Sequence, residues 1–270
     1  MTTSPAALGL ARASHPGPSI AVTTLTALLA VTAGHDLRSG FLVTAAVAAG
    51  QLSIGWSNDL VDAARDRQVG RHDKPLARGE VSPRTVRAAV VVAVVACVLL
   101  SLAIGLRAAA VHLLLVVASG WAYNLGLKRV VWSALPYAVA FGSLPAVVTL
   151  ALSPPRLPPP WMVVAGALLG VGAHLLNALP DLADDARTGV HGLPHHLGAR
   201  RVRLLAPLVL VGASAATVIG PGGPPSPGAW VALGGCLLLA VVAMTGRGRV
   251  PFLAAIAIAL VDVASLVLRG

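Results

Sequence analysis

The sequence predicts an all-α membrane helix bundle. Of its 270 residues, 56% are hydrophobic and only 11% are charged, and the apolar residues fall in runs long enough to cross a bilayer. A soluble domain carries about 25% charged residues. A chain with a mean hydropathy of +0.82 cannot hide its surface in one aqueous core. A spanning helix needs about 20 mostly apolar residues. Nine segments qualify: 19–35, 40–66, 83–105, 107–126, 132–153, 161–186, 199–219, 228–246 and 250–268. The breaks fall at turn chemistry, as from His35 to Gly40, from Pro154 to Pro160, and from Gly220 to Gly228 with its four prolines.

Taken in order, residues 1–18 are Pro/Gly-rich with one cation, Arg12, and lack the basic start and apolar centre of a signal peptide. They read as a cytoplasmic N-terminal segment, and 19–270 as a single transmembrane domain. The second and sixth segments are the long ones, and each begins apolar and ends in acid. Cys97 and Cys236 sit inside apolar runs and read as small core residues. Lys and Arg divide sixteen to four between alternate loops if the N-terminus is inside. Basic residues collect in cytoplasmic loops. The division therefore predicts a cytoplasmic N-terminus and an external C-terminus in a multi-pass plasma-membrane protein. It also accounts for the net charge of +10. No basic stripe interleaved with aromatics is present, so nucleic acid is not an expected partner.

The acids are few and concentrated. Eight of the ten lie in or beside two copies of one pattern, N-x3-D-x3-D-x3-G-x-H-x2-P. The first copy is Asn58, Asp62, Asp66, Gly70, His72 and Pro75; the second is Asn177, Asp181, Asp185, Gly189, His191 and Pro194. The copies suggest two pseudo-repeated halves of about four helices, with a ninth helix added. Residues four apart on a helix share a face, so each Asn-Asp-Asp set should form one stripe. Like charges so placed repel, and low dielectric aggravates the repulsion. A divalent cation would compensate, and hard oxygen ligands favour Mg²⁺ or Mn²⁺. Asp59 and Asp184 fall beside the stripes, as supporting groups; Asp73 and Glu80 read as loop charges.

A cation transporter could use such acids, but it would place them near helix centres. Here they sit at one membrane face beside cations. Arg71, Lys74 and Arg78 follow the first copy, and Tyr123, Lys128 and Arg129 close the fourth segment on the same side. The chain has only two lysines, and these are they. Ammonium and metal together clamp a polyanion such as diphosphate. His72 and His191 could touch phosphate or bond the loop backbone. His112 and His174 read as packing residues within helices.

These residues resemble the UbiA superfamily of intramembrane prenyltransferases. Asn58-Asp59-x2-Asp62-x3-Asp66 is similar to its first aspartate motif, Asn177-x3-Asp181-x3-Asp185 to its second, and Tyr123 to Arg129 to its Tyr-x4-Lys-Arg segment. The resemblance covers nearly the whole chain. It implies two Mg²⁺ ions, one held by Asn58, Asp62 and Asp66, the other by Asp181 and Asp185 with Asn177 as helper. Some members carry Asp where this chain has Asn177. Asp62, Asp181 and Asp185 would be the catalytic carboxylates. Lys74, Arg78, Tyr123, Lys128 and Arg129 would bind the diphosphate. The implied reaction is Mg²⁺-dependent transfer of a prenyl group from a prenyl diphosphate to a lipophilic, aromatic acceptor at the cytoplasmic face. Terpene cyclisation and transfer to a non-aromatic acceptor are the alternatives within the family. Gly50, Gly55, Gly142, Gly170 and Gly172 either leave room for the isoprenoid tail or allow close helix packing.

Overall fold

The computed structural model describes residues 5–70 and 74–267. Among them there is no strand. The helices are α1 (Pro5–Ala13), α2 (Pro16–Thr32), α3 (Leu37–Gln68), α4 (Pro83–Ala103), α5 (Leu106–Leu125), α6 (Val131–Leu150), α7 (Pro160–Arg187), α8 (Leu193–Leu197), α9 (Ala199–Ile219), α10 (Pro227–Thr245) and α11 (Val250–Val267). Seven of these are long and apolar enough to cross a membrane: α3 to α7, α9 and α10. The other two expected spans form α2 and α11, which are apolar but shorter. The helix α1, in the stretch read as a tail, was not expected.

Local chemistry sets the helix starts. Asp36, Ser82 and Ser226 cap α3, α4 and α10 by accepting the backbone N–H of Ser39 (2.9 Å), Thr85 (3.0 Å) and Ala229 (3.3 Å). Proline stands in the first turn of α2, α4, α7 and α10, where its missing N–H costs nothing. Two helices change type in their interiors, and α6 begins with a 3-10 turn at Val131–Ala134. Residues His112–Val117 of α5 form a π turn. The α-helical part of α7 stops at Ala178 and resumes at Leu182, with Leu179–Asp181 in a 3-10 turn. Pro180 lies in that turn, and proline cannot donate the next helical hydrogen bond.

The apolar core runs through α2, α3, α6, α7, α9, α10 and α11 and includes Val43, Val47, Val147, Leu176, Leu210 and Ile258. Large side chains that point outward, such as Phe41, Val92, Leu114, Leu208 and Val231, are exposed on the helices that would face lipid. The glycines serve close packing. A side chain at Gly170 would collide with the Tyr137 carbonyl, and one at Gly55 with the Ser14 carbonyl. The C-terminal helices are pinned by a buried carboxylate. Asp262 of α11 accepts from Ser214 Oγ of α9 (3.0 Å) and Cys236 Sγ of α10 (3.5 Å). Cys236 is thus more than a small core residue.

Candidate metal and diphosphate site

The two acidic motifs meet at one end of the bundle, and Arg65 joins them. On α3, Asp59, Asp62 and Asp66 are 1%, 3% and 2% exposed. They recur at intervals of three and four, the spacing of one buried helix face. Asp59 therefore belongs to the acidic stripe rather than beside it. The guanidinium of Arg65 stands 3.1 Å from Asp62 Oδ2, 3.6 Å from Asp66 Oδ1 and 3.6 Å from Asp185 Oδ1 of α7. One cation thus faces carboxylates of both motifs. In the sequence Arg65 stands beside Asp66. Its reach across 120 positions exists only in the folded chain.

The second motif is built differently. The 3-10 turn falls between Asn177 and Asp185, so the unbroken stripe expected there is interrupted. Asp185 is partly exposed and Asn177 exposed. Asn177 lies against Tyr137. Asp184 pairs with Arg187 at the surface, 2.5 Å away.

The expected diphosphate ligands divide. Lys128, in the short turn between α5 and α6, is buried and ion-paired to Asp62 Oδ1. Burial pushes its ammonium below its ordinary pKa, and the Asp62 carboxylate opposes that shift. Tyr123 is packed edge-on against Tyr137 (5.1 Å between ring centres) and His174 (5.6 Å), with Phe141 stacked beyond Tyr137. Tyr123 stands near Asp62 and Asp185, so these rings form an aromatic wall beside the carboxylates. Lys74, in the loop after α3, is held at another point of that helix: its Nζ is 2.8 Å from Asp59 Oδ1. Arg78 pairs with Glu80 at 3.1 Å and is half exposed, and Arg129 is exposed. Arg71, His72 and Asp73 lie outside the described residues. His191 packs near His195, 6.1 Å between rings. Further residues enter the site that the sequence did not single out. Asn124 bonds Asn58 (3.0 Å), Ser57 (2.9 Å) and the Ile54 carbonyl (2.9 Å), fixing the turn of α3 that starts the motif. The Tyr-Asn pair at 123–124 was visible; the partner of its Asn was not.

The donor set suits a hard divalent cation: Asn58, Asp62, Asp66, Asp181 and Asp185 offer only oxygen. Arg65 marks a point that carboxylates of both motifs can reach. With the arginine there, no three Asp, Glu, His or Cys side chains among the described residues are grouped to hold a metal. The residues fit a divalent ion in kind, and the guanidinium would have to withdraw to admit it.

The chain matches the UbiA prenyltransferase family over residues 19–262. It belongs to that family. Solved structures share the fold. A UbiA homologue from Aeropyrum pernix K1, in its apo form, is 19% identical with a TM-score of 0.75, covering 93% of this chain and 98% of that one. A homologue from Archaeoglobus fulgidus, bound to GPP and Mg²⁺, is 15% identical with a TM-score of 0.71, covering 96% and 98%. A structure described for digeranylgeranylglyceryl phosphate synthase in membranes is 15% identical with a TM-score of 0.68, covering 97% of each chain. No curated protein sequence matches the chain.

Proposed function

We propose that this UbiA-family protein transfers a prenyl group from a prenyl diphosphate to an aromatic acceptor, using Mg²⁺ held between α3 and α7. The observation that carries the reading is the convergence of buried Asp62 and Asp66 with Asp185 on Arg65, beside Lys128 and the Tyr123–Tyr137 wall. Asn58, Asp62 and Asp66 would hold one ion, and Asp181 and Asp185 the other. The bound Mg²⁺ supplies charge neutralisation of the departing diphosphate. Lys128, placed at Asp62, adds a fixed positive charge where negative charge develops. The bond from prenyl carbon to diphosphate oxygen breaks, the acceptor ring carbon bonds that carbon, and the ring loses a proton. The aromatic side chains keep water from the allylic cation and present electron-rich faces to it. They also suit a flat acceptor, which favours an aromatic ring over a glycerol lipid. The acids cluster at one end of the bundle beside cations, unlike the mid-span acids of a transporter. We place that end at the cytoplasmic face, in line with the distribution of Lys and Arg.

The test is an acceptor screen. Membranes holding the protein are given Mg²⁺, a labelled prenyl diphosphate, and either hydroxybenzoate-type rings or glycerol phosphate lipids. A prenylated aromatic product is expected, detected by mass spectrometry. Asp62→Asn and Asp181→Asn should each cut its formation about 10²–10³-fold while insertion is retained. A glycerol-lipid product alone would reassign the acceptor. Cyclised product without acceptor would make the protein a cyclase. Full activity in both variants would remove the metal-site reading.

A further inference from the structure

Helix α1 and the residues just after it pack beside the first motif, held to α3 just ahead of it and to the loop beyond it. The Trp56 indole on α3 donates to the Leu10 carbonyl (2.9 Å). Gly55 receives the Ser14 carbonyl so closely that no side chain would fit between them. Arg12 pairs with Glu80 at 3.1 Å, and Glu80 also takes Arg78 at 3.1 Å. The strap therefore grips α3 and the far side of the loop that carries Lys74 and Arg78. Two residues past the end of α1 stands His15, whose φ of 54° is left-handed, a conformation uncommon for non-glycine residues though more frequent for histidine.

That backbone aims the imidazole at a buried ion pair. His15 Nε2 is 3.0 Å from Asp59 Oδ1 and 3.0 Å from Lys74 Nζ. Lys74 Nζ donates to the same Asp59 oxygen at 2.8 Å. An ammonium has three donors. With Nε2 as the unprotonated ring nitrogen, His15 accepts from Lys74, so among the described residues Asp59 and His15 engage two of the three donors and one is left for an incoming oxyanion. Asp59 precedes Asp62 by three residues, about 4.5 Å along the helix axis. The ammonium is thus tied to α3 one turn from the carboxylate cluster. Left loose on the loop, a lysine would have to lose its rotamer freedom on each binding event.

We propose that His15 is a positioning residue: with Asp59 it fixes Lys74 at the diphosphate end of the site, and α1 is a working wall of that site. The role rests on the reading of the site as one for a prenyl diphosphate, so its test has one arm that is independent of turnover. Lys74 and Lys128 are the chain's two lysines. In the full-length protein in detergent, acetylation of each by an amine-reactive reagent is followed by mass spectrometry. Lys74 should be protected, and His15→Ala should raise its labelling roughly tenfold, the scale of one lost charge-assisted hydrogen bond, with Lys128 unchanged. Equal Lys74 labelling in both proteins overturns the contact, whatever the enzyme does. In the kinetic arm, His15→Ala should raise KM for prenyl diphosphate roughly tenfold while kcat changes less than about twofold. His15→Gln should recover part of the loss, and His15→Ala should add nothing in a Lys74→Ala background. A fall in kcat alone, or full additivity with Lys74→Ala, overturns the positioning role. A wild-type protein that protects Lys74 yet forms no prenylated product overturns the diphosphate role while upholding the contact, which separates this inference from the proposed reaction.

Discussion

The two copies of the acidic motif have the same spacing and different backbones. On α3 the helix is unbroken from Leu37 to Gln68, and its acids are buried among cations. On α7 the helix tightens into a 3-10 turn at Leu179–Asp181, and its acids are more open. Of the residues that differ between the copies, one acts directly on the backbone. The second copy has Pro180 where the first has Val61, and proline removes a donor and crowds the preceding turn. Identical periodicity in sequence therefore does not guarantee identical presentation. A rigid, charge-compensated stripe faces a looser one that can adapt.

The strongest way to break this contrast is Pro180→Ala. It should let α7 run on as a regular helix and raise thermal stability. The same change turns Asp181 relative to Asp185, and a misplacement of about 1 Å can cost roughly 100-fold in rate. A variant that is more stable and far less active is expected from paired melting and activity measurements. Unchanged activity would show that the 3-10 turn is incidental.

Arg65→Met tests the link between the copies. Without Mg²⁺, loss of the guanidinium leaves Asp62, Asp66 and Asp185 facing one another, and stability should fall by about 1–3 kcal/mol. Added Mg²⁺ should then raise the melting temperature of the variant more than that of the wild type, because no side chain has to leave. Equal Mg²⁺ responses would mean that Arg65 and the ion do not compete.

The smallest effect belongs to the opposite end of α3. Asp36 accepts the Ser39 N–H, which holds its carboxyl below the usual range. A lowered folded pKa means that its contribution is present above about pH 4 and is lost as pH falls through the lowered value. Asp36→Asn keeps a cap without a charge, so the melting temperatures of variant and wild type should draw together in acid. A gap that is constant from pH 6 to pH 3 would contradict this.

The helices were largely legible in the sequence, because a bilayer demands long apolar runs and the breaks carry Pro and Gly. The first motif was legible for the same reason: acids at helical spacing in an apolar segment have few other uses. Three things were not. Pro180 was in plain view, but the periodicity of Asn177, Asp181 and Asp185 concealed what it does to the backbone. Arg65 reads as a neighbour of Asp66, and only the approach of α7 gives it Asp185 as well. Lys74 reads as a loop cation beside the acidic stripe, and the third member of its contact with Asp59, His15, arrives from a segment with no distinguishing composition.

The π turn of α5 sets the angular phase of the residues that follow it. A π turn carries about one residue more than an α turn, and each α-helical residue advances about 100° around the axis. Everything after Val117 is therefore rotated by close to a third of a revolution from where a regular helix would put it. Tyr123 and Asn124 reach the aromatic wall and the Asn58 turn with that rotation in place. A lineage that lost a single residue between His112 and Val117 could keep every apolar position compatible with lipid and still swing this whole face of the site out of register.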